Sequence, residues 1–509
     1  MRNWWFRSPW RYHNGLPQLL VLCFLLIGAC IGLRDPWMVD EERFMGVALE
    51  MIQNGNWLVP FRASEAYADK PPLFFWALAA TYSVVGNIKL SFLLPALLSG
   101  LISLVCVHDI ARRLWNRRVA WVAGLLLIAT WQFQVVMTMG QIDAFLFMWI
   151  NLALYGLLRH LLLGPDWRWY WFSFCCMGFG IITKGVGFLP LLMLIPYFAV
   201  VHRHTTGMGS AWRWCLGPLF LILAVAVWLL PMALLVGQSG DPALEAYRNE
   251  ILFKQTGGRY VNAWQHREPV WYFFVSVIPK YWLPMVALLP WLLPVWRRRL
   301  ARGDARYIVL LGYVLLVVVF FSLSTGKRKL YIFPAVPALV LACAPIAMTL
   351  WHRWRRRFRG KRMTIGLVSY FCLWFIWNVS EPLIRNNSRS FRPFMERIAA
   401  QLPSDAELAV FSWHEGVWLF SRTPITHFGV RPGAGGIEAV LFWLEQAPGR
   451  YVLTQEQSLG ECFVRDKVIA TEKVRNEIYV LLDASAISGK CPAIEANTVY
   501  HFQWRELPR

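Results

Sequence analysis

Residues 40–76 read DEERFMGVALEMIQNGNWLVPFRASEAYADKPPLFFW, the most polar long stretch before residue 237, and both of its flanks are apolar enough to enter a membrane. Within it Phe44, Val47, Ala48, Met51 and Ile52 recur at the i, i+3, i+4, i+7, i+8 spacing of one helix face, while Arg43, Glu50 and Gln53 fall on the other. The spacing predicts a short helix lying on an apolar surface, with Asp40 at its N-cap and Asn54-Gly55 at its end. On one reading Asp40 is simply a cap carboxylate. On the other it is functional, because Asp40, Glu41, Glu42, Asp69 and Lys70 crowd together where charge is expensive to keep.

Outward from this stretch the chain is 57% hydrophobic and 16% aromatic with only 16% charged residues, and its mean hydropathy is +0.42. An ordinary soluble domain does not have that composition, so the chain reads as an integral membrane protein. The run 16–33 follows Arg2, Arg7 and Arg11 and lacks a small-residue cleavage site, which predicts an uncleaved first span with a cytoplasmic N-terminus. The net charge of +21 does not point to nucleic acid. Its arginines cluster in short loops between apolar runs, at 112–118, 202–213, 297–306 and 353–362, with no aromatic-interleaved platform for bases.

The apolar runs predict about eleven spans, roughly 16–33, 90–110, 119–138, 144–163, 169–183, 186–201, 214–236, 271–296, 307–323, 331–350 and 364–379. The basic loops then share one face only if 71–85 does not cross. That run opens with two prolines and is short for a span, so it reads as a helix half-sunk in the outer interface. The same parity puts 40–70, 141–143, 237–269, 324–330 and everything after Ser380 on the outer face. Ionisable residues gathered at one surface argue against a lipid transporter, which keeps them near the bilayer midplane.

Near Ser380 the composition turns polar and close to neutral. Strand-like pieces at 408–411, 451–454, 467–470 and 478–482 alternate with helix-like pieces at 391–401 and 434–446, predicting a small α/β domain over 381–509. Eight of the ten cysteines lie inside apolar runs as small hydrophobes. Cys462 and Cys491 alone fall in the polar tail, where an oxidising compartment would join them in a disulfide.

The motifs of 40–76 resemble those of the GT-C-fold glycosyltransferases that take sugars from polyprenyl phosphates, and among them the lipid A aminoarabinose transferases and the protein O-mannosyltransferases. An acidic pair opening an amphipathic helix (Asp40-Glu41), a Gly-Asn-Trp-x-Val-Pro turn (Gly55 to Pro60) and an acid-Lys-Pro-Pro-Leu-x-x-Trp run (Asp69 to Trp76) follow in that family's order. The resemblance implies an α-helical membrane protein of GT-C fold over 1–380, with its catalytic loop at 34–89. It implies a bacterial inner-membrane location with the tail domain periplasmic. The implied partners are an undecaprenyl-phosphate-linked sugar, a lipid or glycan acceptor such as lipid A, and the bilayer. A different sugar passed to protein hydroxyls or O-antigen is the alternative within the class.

Residue by residue, the resemblance makes Asp40 the base, with Glu41 beside it and Asp143 as a second acid. Lys70, Lys254, Lys327, Lys329 and Tyr331 become the groups that hold the donor phosphate, and Thr183-Lys184-Gly185 matches a Lys-Gly turn of the family. In the aminoarabinose transferases a His, a Glu and an Arg follow the seventh span; Asn249, Glu250 and Lys254 stand there in this chain. Losing the His weakens the expectation of a divalent metal (zinc, magnesium or manganese) at Asp69 and Glu250. Lys in place of Arg keeps the charge but gives up the bidentate fork.

Overall fold

The structure, a computed structural model, describes residues 15–201, 211–252, 267–357, 360–430 and 435–488. Its helices are α1 (Leu16–Gly28), α2 (Val39–Asn54), α3 (Leu73–Val85), α4 (Leu94–Leu114), α5 (Arg117–Ala129), α6 (Trp131–Met137), α7 (Ile142–Leu163) and α8 (Trp167–Lys184). They continue as α9 (Ala211–Ser239), α10 (Pro242–Asn249), α11 (Leu289–Ala301), α12 (Ala305–Leu323), α13 (Val336–Arg357) and α14 (Gly360–Arg389). The tail adds α15 (Phe391–Gln401), α16 (Glu415–Phe420) and α17 (Gly435–Glu445). Two compact units result. The first gathers the described residues up to Cys30, Ala68–Phe74 and Leu93–Val379; the second gathers Ile31–Tyr67, Phe75–Phe92 and the described residues from Ser380 on.

The first unit is helical and apolar. Among the described residues of the chain, six helices are long and apolar enough to cross a membrane: Ile88–Leu114, Ile142–Leu163, Trp212–Ser239, Ala305–Leu323, Phe333–Trp354 and Thr364–Arg389. Two bent pairs raise that to eight if each is one span. Arg117–Ala129 and Trp131–Met137 meet at 63°, where Thr130 leaves helical geometry; Phe273–Tyr281 and Val286–Ala301 meet at 94°. The eleven expected runs all fall on helices, but three miss the criterion of length and apolarity. The run 16–33 is helical only over Leu16–Gly28. The run 186–201 is a succession of 3-10, α and π turns, broken by Pro190 and Pro196. The run 169–183 lies on α8, whose first turn carries Trp167, Arg168, Trp169 and Tyr170.

Helix α3, at 13 residues, is about 20 Å long and too short to cross alone. The helix expected from residue 40 begins at Val39 and closes on Gly55 at φ 68. After it, strands β1 (Phe61–Arg62) and β2 (Glu65–Ala66) form a hairpin closed by Ala63 and Ser64, both at positive φ as a type I′ turn demands.

The tail sheet holds β3 (Glu407–Val410), β4 (Ile425–His427), β5 (Arg450–Gln455), β6 (Ala470–Val474) and β7 (Glu477–Leu482) in the order β4-β3-β5-β7-β6. β3 runs parallel to β4 and β5, and β7 antiparallel to β5 and β6. Trp443, Leu444, Val452 and Leu482 fill its core. Sequence periodicity missed β4, which has three residues, and set β6 too early, on a stretch where Arg465–Lys467 forms a 3-10 turn. Cys462 is buried in this core and Cys491 lies outside the described residues, while the other eight cysteines are free thiols.

Candidate active site

In the second unit the first turn of α2 sorts its three acids by burial. Met38, not Asp40, occupies the N-cap, so Asp40 has no capping task. Glu41 does the capping: its carboxylate accepts from the backbone N–H groups of Trp37 (3.3 Å) and Met38 (3.2 Å) and takes Arg34 Nη2 at 2.6 and 2.7 Å. Glu41 is 1% exposed, and these contacts hold the start of α2. Glu42 is fully buried and accepts from Arg475 Nη2 at 2.6 Å. Burial pushes its carboxyl up to about 8 against the pull of Arg475. Asp40 keeps a partly exposed side chain, 26%, with Arg43 Nη1 at 3.5 Å one turn on.

Further along α2, Glu50 is buried and accepts from Ser64 N at 2.7 Å, so a helix carboxylate holds the positive-φ hairpin turn. Burial raises Glu50 to about 7. Glu415, at the start of α16, pairs with Arg62 of β1. Two glycines let these helices meet: a Cβ on Gly46 would lie 3.0 Å from Glu415 Cγ, and one on Gly416 would lie 2.8 Å from Glu42 Oε1. Asp35 collects Arg392 Nε (3.0 Å), Ser390 Oγ (3.0 Å) and Lys89 Nζ (3.4 Å). The long-range pairs have no local sequence signal, since Glu42 and Arg475, or Arg62 and Glu415, stand hundreds of residues apart.

In the first unit Asp143 opens α7 and forms an ion pair with Lys184, the last residue of α8. Lys184 Nζ also lies 5.5 Å from the Tyr331 ring centroid. The turn that aims it is built on glycine: Gly185 closes α8 at φ 72, and a Cβ on Gly180 would lie 2.8 Å from Gly187 Cα. Asp143, Lys184 and Tyr331, noted separately in the sequence, are thereby brought together.

Asp69 and Lys70 are half-buried, with Lys70 Nζ donating to Asp69 O at 2.9 Å. Lys327 is turned inward. It is 4% exposed, and its Nζ donates to Ser324 O (2.5 Å) and Glu268 O (2.7 Å), closing the 324–330 loop. Burial draws its ammonium below the usual lysine range. Lys329 is exposed, with its carbonyl held by Gln132 Nε2 at 2.8 Å. Glu250 is half-buried just after α10, and Lys254 lies outside the described residues. Among the described residues no three His, Cys, Asp or Glu side chains come close enough to hold a metal ion.

Residues 69–230 match the family described as dolichyl-phosphate-mannose-protein mannosyltransferase. An undecaprenyl phosphate-alpha-4-amino-4-deoxy-L-arabinose arabinosyl transferase of Pseudomonas fluorescens is 30% identical over 361 residues, 68% of this chain and 60% of that protein. Its counterpart in an Enterobacter species is 29% identical over 62% of this chain and 56% of its own length. The chain thus spans less than two thirds of these relatives. Among solved structures, ArnT from Cupriavidus metallidurans bound to undecaprenyl phosphate aligns with a TM-score of 0.74 at 18% identity, covering 94% of this chain and all of that one.

Proposed function

We propose that the chain is a GT-C-fold glycosyltransferase of the aminoarabinose and protein mannosyl transferase kind, moving one sugar from undecaprenyl phosphate to an acceptor hydroxyl at the outer face of the bacterial inner membrane; the match over 69–230, the arabinosyl transferase relatives and the ArnT-like fold support this reading. The observation that carries this reading is the sorting of acids on α2. Two are buried against arginines, and Asp40 alone of the three keeps exposure enough to meet a substrate.

In the proposed reaction Asp40 takes the proton of the acceptor hydroxyl as its oxygen attacks the anomeric carbon. The bond from that carbon to the phosphate oxygen breaks, and its electron pair leaves with undecaprenyl phosphate. Lys70, Lys254, Lys329 and Tyr331 are the proposed partners of the growing phosphate charge. Lys327 supports them by closing its loop, since its ammonium is already taken up by two carbonyls. The Asp143–Lys184 pair is proposed to orient substrate hydroxyls. A divalent ion held at Asp69 and Glu250 would take further ligands from the donor phosphate and supply positive charge there.

Lipid A carrying 4-amino-4-deoxy-L-arabinose is the first reading of acceptor and sugar, supported by the names of the two bacterial relatives. Protein hydroxyls are the second, favoured by the family matched over 69–230. The orientation proposed with it puts the N-terminus in the cytoplasm and the 381–509 domain in the periplasm. Mass spectrometry of lipid A, envelope glycans and envelope proteins, with and without the gene, tests all of this together. The expected result is loss of a single sugar from one acceptor class; unchanged profiles in all three would overturn the proposal.

A further inference from the structure

At the turn between α7 and α8 lies a cavity of about 650 Å³, lined by Asp166, Trp167, Arg168, Trp171 and, from α9, Arg213. It stands at the opposite end of α8 from Lys184. The 18 residues of that helix separate the two by about 27 Å, close to the thickness of a bilayer's hydrocarbon core. The cavity therefore belongs to the other membrane interface and takes no part in the sugar transfer proposed above.

Its charge is unbalanced. Asp166 is taken by Arg159 at 3.0 Å, and among the described residues neither Arg168 nor Arg213 pairs with a carboxylate. Arg168 stands in the first turn of α8, where the helix dipole disfavours a cation. Arg213 instead lies over aromatic faces, 5.9 Å from the Trp167 ring and 5.5 Å from Trp212. An anion between the two guanidinium groups would relieve this arrangement.

The floor is rigid and the rim is greasy. Trp171 Nε1 donates to Arg213 O at 3.1 Å and Tyr170 Oη to Trp214 O at 3.1 Å, tying α8 to the start of α9. Beneath them the His160 ring sits 4.6 Å from Trp167, 4.9 Å from Tyr170 and 5.1 Å from Trp214. On the same turns Leu163, Phe172 and Trp212 are 44%, 39% and 57% exposed. Free phosphate has no use for an apolar rim, whereas an acyl chain does.

We propose that this cavity binds the phosphate headgroup of an anionic membrane lipid, with Arg168 and Arg213 on the phosphate and the tryptophans against the glycerol and upper acyl chain. The full chain is purified into nanodiscs of phosphatidylglycerol or of phosphatidylcholine, stripped stepwise with detergent, and the retained lipid is counted by native mass spectrometry. Wild type is expected to keep phosphatidylglycerol and lose phosphatidylcholine. The double variant R168Q/R213Q should hold phosphatidylglycerol about thirtyfold less tightly, from the loss of two phosphate-facing arginines.

Equal retention of the two lipids by wild type, or equal retention of phosphatidylglycerol by the variant, would overturn the proposal. Displacement of the lipid by millimolar inorganic phosphate would overturn its lipid specificity, leaving an anion site only. Should the double variant not assemble, hydrogen exchange on wild type decides. Slower exchange at 163–171 and 211–214 in phosphatidylglycerol than in phosphatidylcholine is expected, and identical rates would refute the site.

Discussion

At the scale of single residues, burial separates neighbouring groups of the same type. Asp40 and Glu41 are neighbours in sequence, yet Asp40 faces partly outward while Glu41 is closed off by Arg34 and two backbone amides. The variant D40N should insert and fold like wild type while losing activity by about 10²- to 10⁴-fold, the usual worth of a general base. Turnover near wild type would return Asp40 to a surface role. E41Q should do the opposite, destabilising the protein by about 3 kcal/mol because Arg34 is left buried without its counter-charge. The lysines divide in the same way. K70A should lower kcat and raise the donor KM together, whereas K327M should lower thermal stability by freeing the 324–330 loop. Equal kinetic defects in the two variants would restore Lys327 to the phosphate.

At the scale of elements, α2 is held by α16, the β1–β2 hairpin and the β6–β7 turn, through buried acids that each meet an arginine or a backbone N–H. Gly416→Ala would press a methyl group onto Glu42 and the Phe391 ring, and should cost about 1–3 kcal/mol in thermal unfolding of purified protein. The buried acids also make this packing depend on pH. Glu42 titrates near 8 in the fold and near its ordinary 4.5 in the unfolded chain, so its contribution is fully present below 4.5 and is lost as pH rises through 8. His414 and His427, lowered by burial to about 4 from 6.5, act in the opposite sense, and their contribution is lost only as pH falls below 6.5. Between pH 6.5 and 8 the glutamates are left to act. Melting temperature should fall across that window, and E42Q should flatten the slope; an unchanged slope in E42Q would remove Glu42 as its source.

At the scale of the whole molecule, topology is the property on which the proposed orientation depends. Cys462 is buried in the tail core, and its expected bond to Cys491 would close a loop of about thirty residues, adding about 3 kcal/mol by the chain-entropy estimate. In intact cells a membrane-impermeant thiol reagent should label neither cysteine before reduction and both after it. Labelling without reduction would refute the bond and leave the topology standing. If labelling requires breaching the inner membrane, the outer-face assignment of the tail fails.

The sequence by itself determined what period and solvation dictate. Apolar runs placed the long apolar helices, and a 3.6-residue period placed α2 with its N-cap two residues late, at Asp40 in place of Met38. Motif order pointed to the family on which the proposed function rests. Tertiary structure alone decided which charges meet. Glu42 with Arg475, Glu415 with Arg62 and Asp143 with Lys184 are pairs whose separation along the chain leaves no periodic trace. It also decided that Lys327 closes a loop while Asp40 stays partly exposed, because whether a charged group is buried depends on every element packed over it and not on its neighbours in sequence.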